Sequence, residues 1–197
     1  MPEDLSLIER KRRQARRRIV AAADELFAAR GFDAVSVNDI AERAEVGRTT
    51  FFRHFGDKQE VVFAREQELL DLIAAERVEP AAAGLGTLLD AVRALEPVLL
   101  RLLDRMTADL AGYRRHLQLI EQHAELAARD AVKMQGVALR LRDLLTAQDC
   151  PDGTATLAAE IAMACYWTAR RTAPDPADLV GATRRALRQV LEPGTAG

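Results

Sequence analysis

One run of the chain, SVNDIAERAEVGRTTFFRHFGDK from Ser36 to Lys58, leaves little freedom of fold. Ser36 can accept a free backbone N–H, and Asp39 stands three residues later. That is close to a capping box and starts a short helix over Val37 to Ala44. Glu45-Val46-Gly47 follows as a turn. A further short helix spans about Arg48 to Phe55, and Gly56-Asp57 breaks it. Ile40, Ala41, Ala44, Val46, Phe51 and Phe55 form the inward set, with Ala41 the small residue where the helices cross. Arg48, Thr49, Thr50, Arg53 and His54 fall on or near the outward face of the later helix. Two short helices locked by apolar residues, with a polar face turned out, make a helix-turn-helix. Such a unit lays one helix in a DNA groove.

The outward residues suit that task. An arginine can donate two bonds to guanine O6 and N7, and a threonine methyl can touch the thymine methyl. Ser36 and Lys58 stand at helix N-termini, where backbone N–H groups favour phosphate. Upstream, seven of the nine residues from Arg10 to Arg18 are basic. Arg12, Arg13, Arg16 and Arg17 are placed to clamp flanking phosphates or to enter a minor groove. The chain as a whole carries a net charge of only −2, but the charge is unevenly spread. Lys and Arg number 12 against 10 Asp and Glu up to Lys58, and 16 against 20 beyond it. A local basic patch is what phosphate binding requires.

The run from Ile19 to Lys58 resembles the DNA-binding domain of the tetracycline-repressor (TetR) family. The matching pieces are Ile19, Ala23 and Leu26-Phe27, then Gly31-Phe32, Ser36-Val37, Asp39-Ile40-Ala41, Ala44 and Val46. They close with Thr50-Phe51-Phe52-Arg53-His54-Phe55 and Asp57-Lys58. The chain departs from the family in the turn, where Glu45 replaces a usual glycine, and at Gly47 and Thr49. Phe52 replaces a frequent tyrosine and loses its hydrogen bond to phosphate. Gly47 and Phe52 are nonetheless counted with the DNA-facing residues. The resemblance implies a homodimeric transcription repressor in a bacterial cytoplasm, associated with the nucleoid when bound. It implies a palindromic operator on double-stranded DNA, released when a small molecule enters a C-terminal pocket.

The expected fold class is all-α, because no pattern of period two appears. A first helix is expected from about Arg10 to Ala29 after a loose start, with Gly31 as its stop. Asp57 caps a long fourth helix from Lys58 to about Arg77. Further helices are expected at about 86–95, 97–122 with a possible break at Gly112, 124–147, 154–172 and 176–191. Residues 1–57 form the expected DNA-binding domain and 58–197 the helical ligand-binding and dimerisation domain. The linker PAAAGLG, Pro80 to Gly86, lies beyond the fourth helix. Small residues at Ala155, Ala158, Ala159, Ala162 and Ala169 permit close helix approach, and 176–191 carries an apolar stripe. Two such helices from each subunit would make a four-helix dimer interface. Met106, Leu110, Tyr113, His116, Met134, Met163, Tyr166 and Trp167 are the candidate lining of an apolar ligand site. Plain core packing accounts for any one of them better than ligand contact does. A DNA-binding regulator controlled by a protein partner or by concentration, without an inducer, fits the same sequence.

Other classes find little support. No apolar run approaches the roughly 18 residues of a membrane span, and no secretory signal follows the basic run. Cys150 and Cys165 have no metal or redox spacing, so no metal is expected, and no cofactor motif occurs. The only serines are Ser6 and Ser36, neither near a plausible base, and no phosphate loop or HExxH is present. A catalytic site is therefore not expected.

Overall fold

The computed structural model describes residues 6–78 and 84–192, with residues 66–68 by backbone alone. Among the described residues there are ten α-helices, one 3-10 turn and no strand. None of these helices is long and apolar enough to cross a membrane. The chain divides into two compact units, residues 1–65 and 66–197. The linker residues Pro80 to Ala83 lie outside the described residues; Gly84 to Gly86 are not helical.

In the first unit, α1 (Leu7–Arg30) starts three residues before the expected Arg10. The reason is a capping box. The Ser6 hydroxyl accepts the Glu9 N–H, and the Glu9 carboxylate accepts the Ser6 N–H at 2.9 Å. Ile19, Ala22, Ala23 and Phe27 form its buried stripe. Gly31 closes it at φ +78°, a left-handed value that costs glycine little. Then come α2 (Val37–Arg43), α3 (Arg48–His54) and α4 (Lys58–Val62); α5 (Ala64–Ala75) starts at the end of this unit and belongs mostly to the second. α1 packs on α2 and α4, and α2 packs on α3. Two ring pairs hold this core, Phe27 on Phe32 at 5.1 Å and Phe51 on Phe55 at 5.9 Å between centroids.

The single fourth helix expected from Lys58 to Arg77 is two helices, α4 and α5, parted at Phe63. Val61 and Phe63 are both buried. Two residues apart on one α-helix they would point about 200° away from each other. Both can face the core only if the helix breaks between them and the next turn, and Phe63 leaves helical geometry at ψ 15°.

In the second unit, α6 (Leu88–Thr107), α7 (Leu110–Gln122), α8 (Ala124–Thr146), α9 (Asp152–Thr172) and α10 (Leu179–Leu191) follow, with a 3-10 turn at Pro176–Asp178 before α10. The helix expected to end at residue 95 runs through Pro97 instead. Pro97 and Arg93 lie on the exposed face, so the carbonyl left without a donor can be hydrated. The chain breaks at Ala108-Asp109 rather than at Gly112. Asp109 caps α7 by accepting the Gly112 N–H at 3.0 Å, which puts Gly112 in the first turn. The helix expected from residue 154 starts at Asp152. α9 is the centre of the unit and packs against α6, α8 and α10. Ala155, Ala158, Ala159, Ala162 and Ala169 are buried along it, and their small side chains let three neighbours approach closely.

The cap at Asp109 decides where α6 ends and α7 begins. Asp109→Ala is expected to cost about 1 kcal/mol and to lower the thermal midpoint by about 2–4 °C. An unchanged midpoint would contradict the assigned break.

Candidate functional site

The third helix owes its position to two phenylalanines. Phe51 and Phe55 are buried beneath α3, and Ala41 and Ala44 are buried on the facing helix. The turn before it is tight: the Val46 N–H reaches the Ala41 carbonyl at 2.9 Å, and Glu45 adopts φ +53°. This left-handed residue stands where the family resemblance places glycine, which a non-glycine side chain tolerates at some cost. Glu45 pairs with Arg18 of α1 at 3.7 Å. Gly47 is the N-cap and offers no side-chain bond, so the first N–H groups of α3 stay open.

With the apolar face buried, Arg48, Thr49, Phe52 and Arg53 are exposed, while Thr50 and His54 are half-buried. Phe52 is 43% exposed, an unusual placement for so large a ring. The Arg48 guanidinium lies over it, 5.5 Å from the ring centroid. Among the described residues, neither Arg48 nor Arg53 forms an ion pair. His54 shows that the basic run of α1 is adjacent. Burial first, and then the charges of Arg12, Arg53 and Arg16, hold its pKa below the ordinary value. Its Nε2 is buried without a hydrogen-bond partner. The outward face of α3 and the Arg12 side of α1 thus make one positive surface.

The expected arm residues divide in two. Arg12, Arg13 and Arg17 are exposed and form no ion pair among the described residues. Arg16 is half-buried instead. Its guanidinium donates to the Ala64 carbonyl at 2.7 Å and lies 4.6 Å over the Phe55 ring. It braces α1 against the α4–α5 break and the end of α3. Lys58 is likewise turned inward. Its ammonium donates to the carbonyls of Phe32 at 2.9 Å and Val35 at 3.1 Å, and lies 4.3 Å over the Phe32 ring. Only its backbone N–H, at the head of α4, is available to a phosphate. Ser36 is exposed at the head of α2 and bonded to Asp39. That bond, with the Ser36 N–H and Arg30 at 3.1 Å, lowers the Asp39 pKa to about 2.

A second cluster lies in the C-terminal unit. Beyond residue 63 the only aromatic residues are Tyr113, Tyr166 and Trp167, and all three gather around one arginine. Arg170 Nη1 donates to Asp130 Oδ2 at 2.8 Å and approaches the Tyr166 hydroxyl at 3.5 Å. Its guanidinium lies 5.2 Å over the Trp167 ring. Both members of the ion pair are largely buried. The Tyr166 and Trp167 rings lie 5.1 Å apart, tilted by 50°, and His116 stacks on Tyr113 at 6.4 Å. Tyr113 is 4% exposed, and the polar neighbour of its hydroxyl is Tyr166. Burial, then Tyr166, pushes the Tyr113 pKa far up. Of the other candidate lining residues, Met134 and Met163 are buried in the aliphatic core, and Met106 is half-buried against it. Leu110 is half-buried in the first turn of α7. Sequence reasoning missed Asp130 and Arg170. The signal was present: the buried stripe of α8, Leu126, Met134, Val137 and Leu141, passes through Asp130.

Residues 19–64 match the family model of the bacterial regulatory proteins of the tetR family. A curated relative, the HTH-type transcriptional regulator TcmR of Streptomyces glaucescens, is 33% identical over 153 residues, covering 68% of this chain and 68% of that protein. The chain belongs to the TetR family. It is a DNA-binding transcriptional regulator with an N-terminal helix-turn-helix domain and a C-terminal helical domain. In other curated relatives the matched part spans 24% to 62% of their length. Among solved structures, SmeT in complex with triclosan superposes with a TM-score of 0.57 at 21% identity, over 90% of each chain. The TetR-family repressor FadR of Thermus thermophilus, solved with lauroyl-CoA, gives 0.50 at 26% identity, over 92% of this chain and 96% of that one.

The two kinds of cation separate by measurement. Arg13→Ala is expected to weaken binding to all duplexes and to reduce the salt slope by about one. Lys58→Met is expected to cost about 1.5–3 kcal/mol of stability and leave that slope unchanged. A reduced slope for Lys58→Met would show its ammonium on a phosphate.

Proposed function

We propose that the chain is a homodimeric repressor that binds an inverted-repeat operator and leaves it when a small apolar ligand enters the C-terminal unit. The observation that carries this reading is the outward face of α3. Among the described residues Arg48 and Arg53 stand there without ion pairs, Phe52 is exposed, and the positive field of Arg12 joins them. Arg48 is assigned to a guanine, Thr49 and Thr50 to base edges, and Arg12, Arg13, Arg17, Arg53 and His54 to phosphates. Gly47 and Lys58 contribute backbone N–H groups at helix starts, whereas the Ser36 N–H is taken by the Asp39 carboxylate at 2.8 Å.

One such unit spans few base pairs, so specificity calls for two, held about 34 Å apart on successive major grooves. The proposed dimer face is α9 with α10. Leu157 on α9 is 50% exposed, and Ala164 and Thr168, also exposed, continue its face in small residues. An apolar side chain of this size exposed beside small residues suits the packing of helix on helix. Triclosan on SmeT is a largely apolar small molecule, and lauroyl-CoA on FadR carries an apolar acyl chain on the charged coenzyme A; the character they share is an apolar body. A ligand of that character in this chain would act by population shift. It favours a spacing of the two α3 helices that no longer fits DNA, and operator affinity falls.

Leu157→Glu is expected to sediment as a monomer and to bind a two-half-site duplex about a hundredfold or more weakly, since avidity is lost. Val132 and Leu139 are also exposed, on α8, and Leu139→Glu serves as the control that stays dimeric. A dimer that survives Leu157→Glu and dissociates with Leu139→Glu would move the interface to α8.

A further inference from the structure

Phe52 is out of place for its size. The other five phenylalanines of the chain are buried, and this one lies exposed in the middle of α3. Its ring is nonetheless held on two sides. The Phe51 ring meets it edge-on at 5.6 Å and 85°, and the Arg48 guanidinium lies over it, 5.5 Å from the centroid. Arg48 and Phe52 are four residues apart, so they stand one above the other on one face of α3. Arg48 is the first residue of that helix, and the N-terminal residues of a recognition helix are the ones that reach base edges. An arginine bonded to guanine O6 and N7 lies in the plane of that base. A ring stacked on its guanidinium is displaced from that plane toward the next base pair, about 3.4 Å along the duplex. A phenyl ring has no donor or acceptor for a phosphate. The apolar group that the major groove presents is the thymine C5-methyl.

We propose that Arg48 and Phe52 act as one reader of a two-base-pair step: Arg48 takes a guanine, and Phe52 takes the C5-methyl group of a thymine in the base pair beside it. Phe52 has two parts in this. Through the methyl group it determines specificity, and through the cation–π contact it holds the Arg48 guanidinium in place before DNA arrives. The ring gains by covering its exposed surface with the methyl group. The guanidinium is weakly hydrated and tolerates an apolar neighbour on its face. The proposal rests on the reading of α3 as the base-reading helix with Arg48 on a guanine. It adds the identity of the neighbouring pair, and it assigns the methyl contact to Phe52 rather than to Thr49 or Thr50, whose own methyl groups have the same chemistry. A 5-methylcytosine carries the same group at the same place, so the contact also makes binding sensitive to cytosine methylation at that pair.

The test uses the full-length protein and the duplex it selects from random DNA. The guanine whose preference is lost in Arg48→Ala marks the step. Each thymine in the two flanking base pairs is then replaced by uracil, which removes the methyl group and nothing else. One of these replacements is expected to weaken wild-type binding about fourfold per half-site, the effect of one buried methyl group. The salt slope is expected to stay the same, because no phosphate contact is lost. Phe52→Ala is expected to bind the thymine and uracil duplexes equally. Thr49→Ser and Thr50→Ser, which remove only the competing methyl groups, are expected to keep the fourfold ratio. A C·G pair at the same place, with and without a 5-methyl group on the cytosine, is expected to repeat that ratio in the wild type. Equal binding of the thymine and uracil duplexes by the wild type, or the lack of a thymine in both flanking pairs, overturns the proposal while guanine reading by Arg48 stands. A ratio that persists in Phe52→Ala, or that vanishes in either threonine variant, gives the methyl contact to a threonine and overturns it as well. If the wild type selects no sequence, or Arg48→Ala loses no guanine, the base-reading assignment of α3 falls, and the proposal with it.

Discussion

A helix of seven residues does not hold itself in water, because nucleation costs more than so few hydrogen bonds return. α3 exists because Phe51 and Phe55 are buried beneath it, against the alanines of α2 and under the guanidinium of Arg16. Everything at the DNA-facing surface follows from that burial. With Phe51 and Phe55 fixed inward, the period of the helix turns Thr49, Phe52 and Arg53 away from the core, and Arg48 is exposed as the first residue of the helix. The bracing then extends through the unit. Lys58 ties the carbonyls of Phe32 and Val35 to the start of α4, and Arg16 ties α1 to Ala64. Two cations of a basic region thus serve the scaffold, while their neighbours Arg12, Arg13 and Arg17 stay exposed.

The C-terminal unit is built on a different constraint. α9 is lined with alanine, which brings α6, α8 and α10 close around it. Close packing of small side chains leaves little room for polar groups. A buried Arg170–Asp130 pair there contributes little net stability by itself, because desolvation offsets the attraction.

Much of the first unit was legible in the sequence, because local signals dominate it. Ser36 with Asp39, Gly31 and the Phe51–Phe55 spacing each act within a few residues, and the structure follows them. What was not legible depended on the third dimension. The division of α4 from α5 arises because Val61 and Phe63 are both drawn to the core, a demand that no helical pattern announces. Pro97 reads as a stop, yet its exposed position lets α6 continue. Arg16 and Lys58 look like their basic neighbours until their carbonyl partners are seen. The start of α1 was legible and was overlooked, since Ser6 and Glu9 have the spacing of a capping box. In the second unit Asp130 stands in an apolar stripe, but its partner Arg170, forty residues on, is not distinguishable by sequence from the exposed Arg171.

The claim at the centre is that the exposed face of α3 reads bases. Selection of bound fragments from random duplex DNA, run in parallel with wild type and Arg48→Ala, tests it most directly. The account requires wild type to recover an inverted repeat with half-sites about 34 Å apart. Arg48→Ala should then lose preference at one G·C pair in each half-site while keeping the others. Recovery of no preferred sequence by wild type, or of the same preference by both proteins, would contradict it.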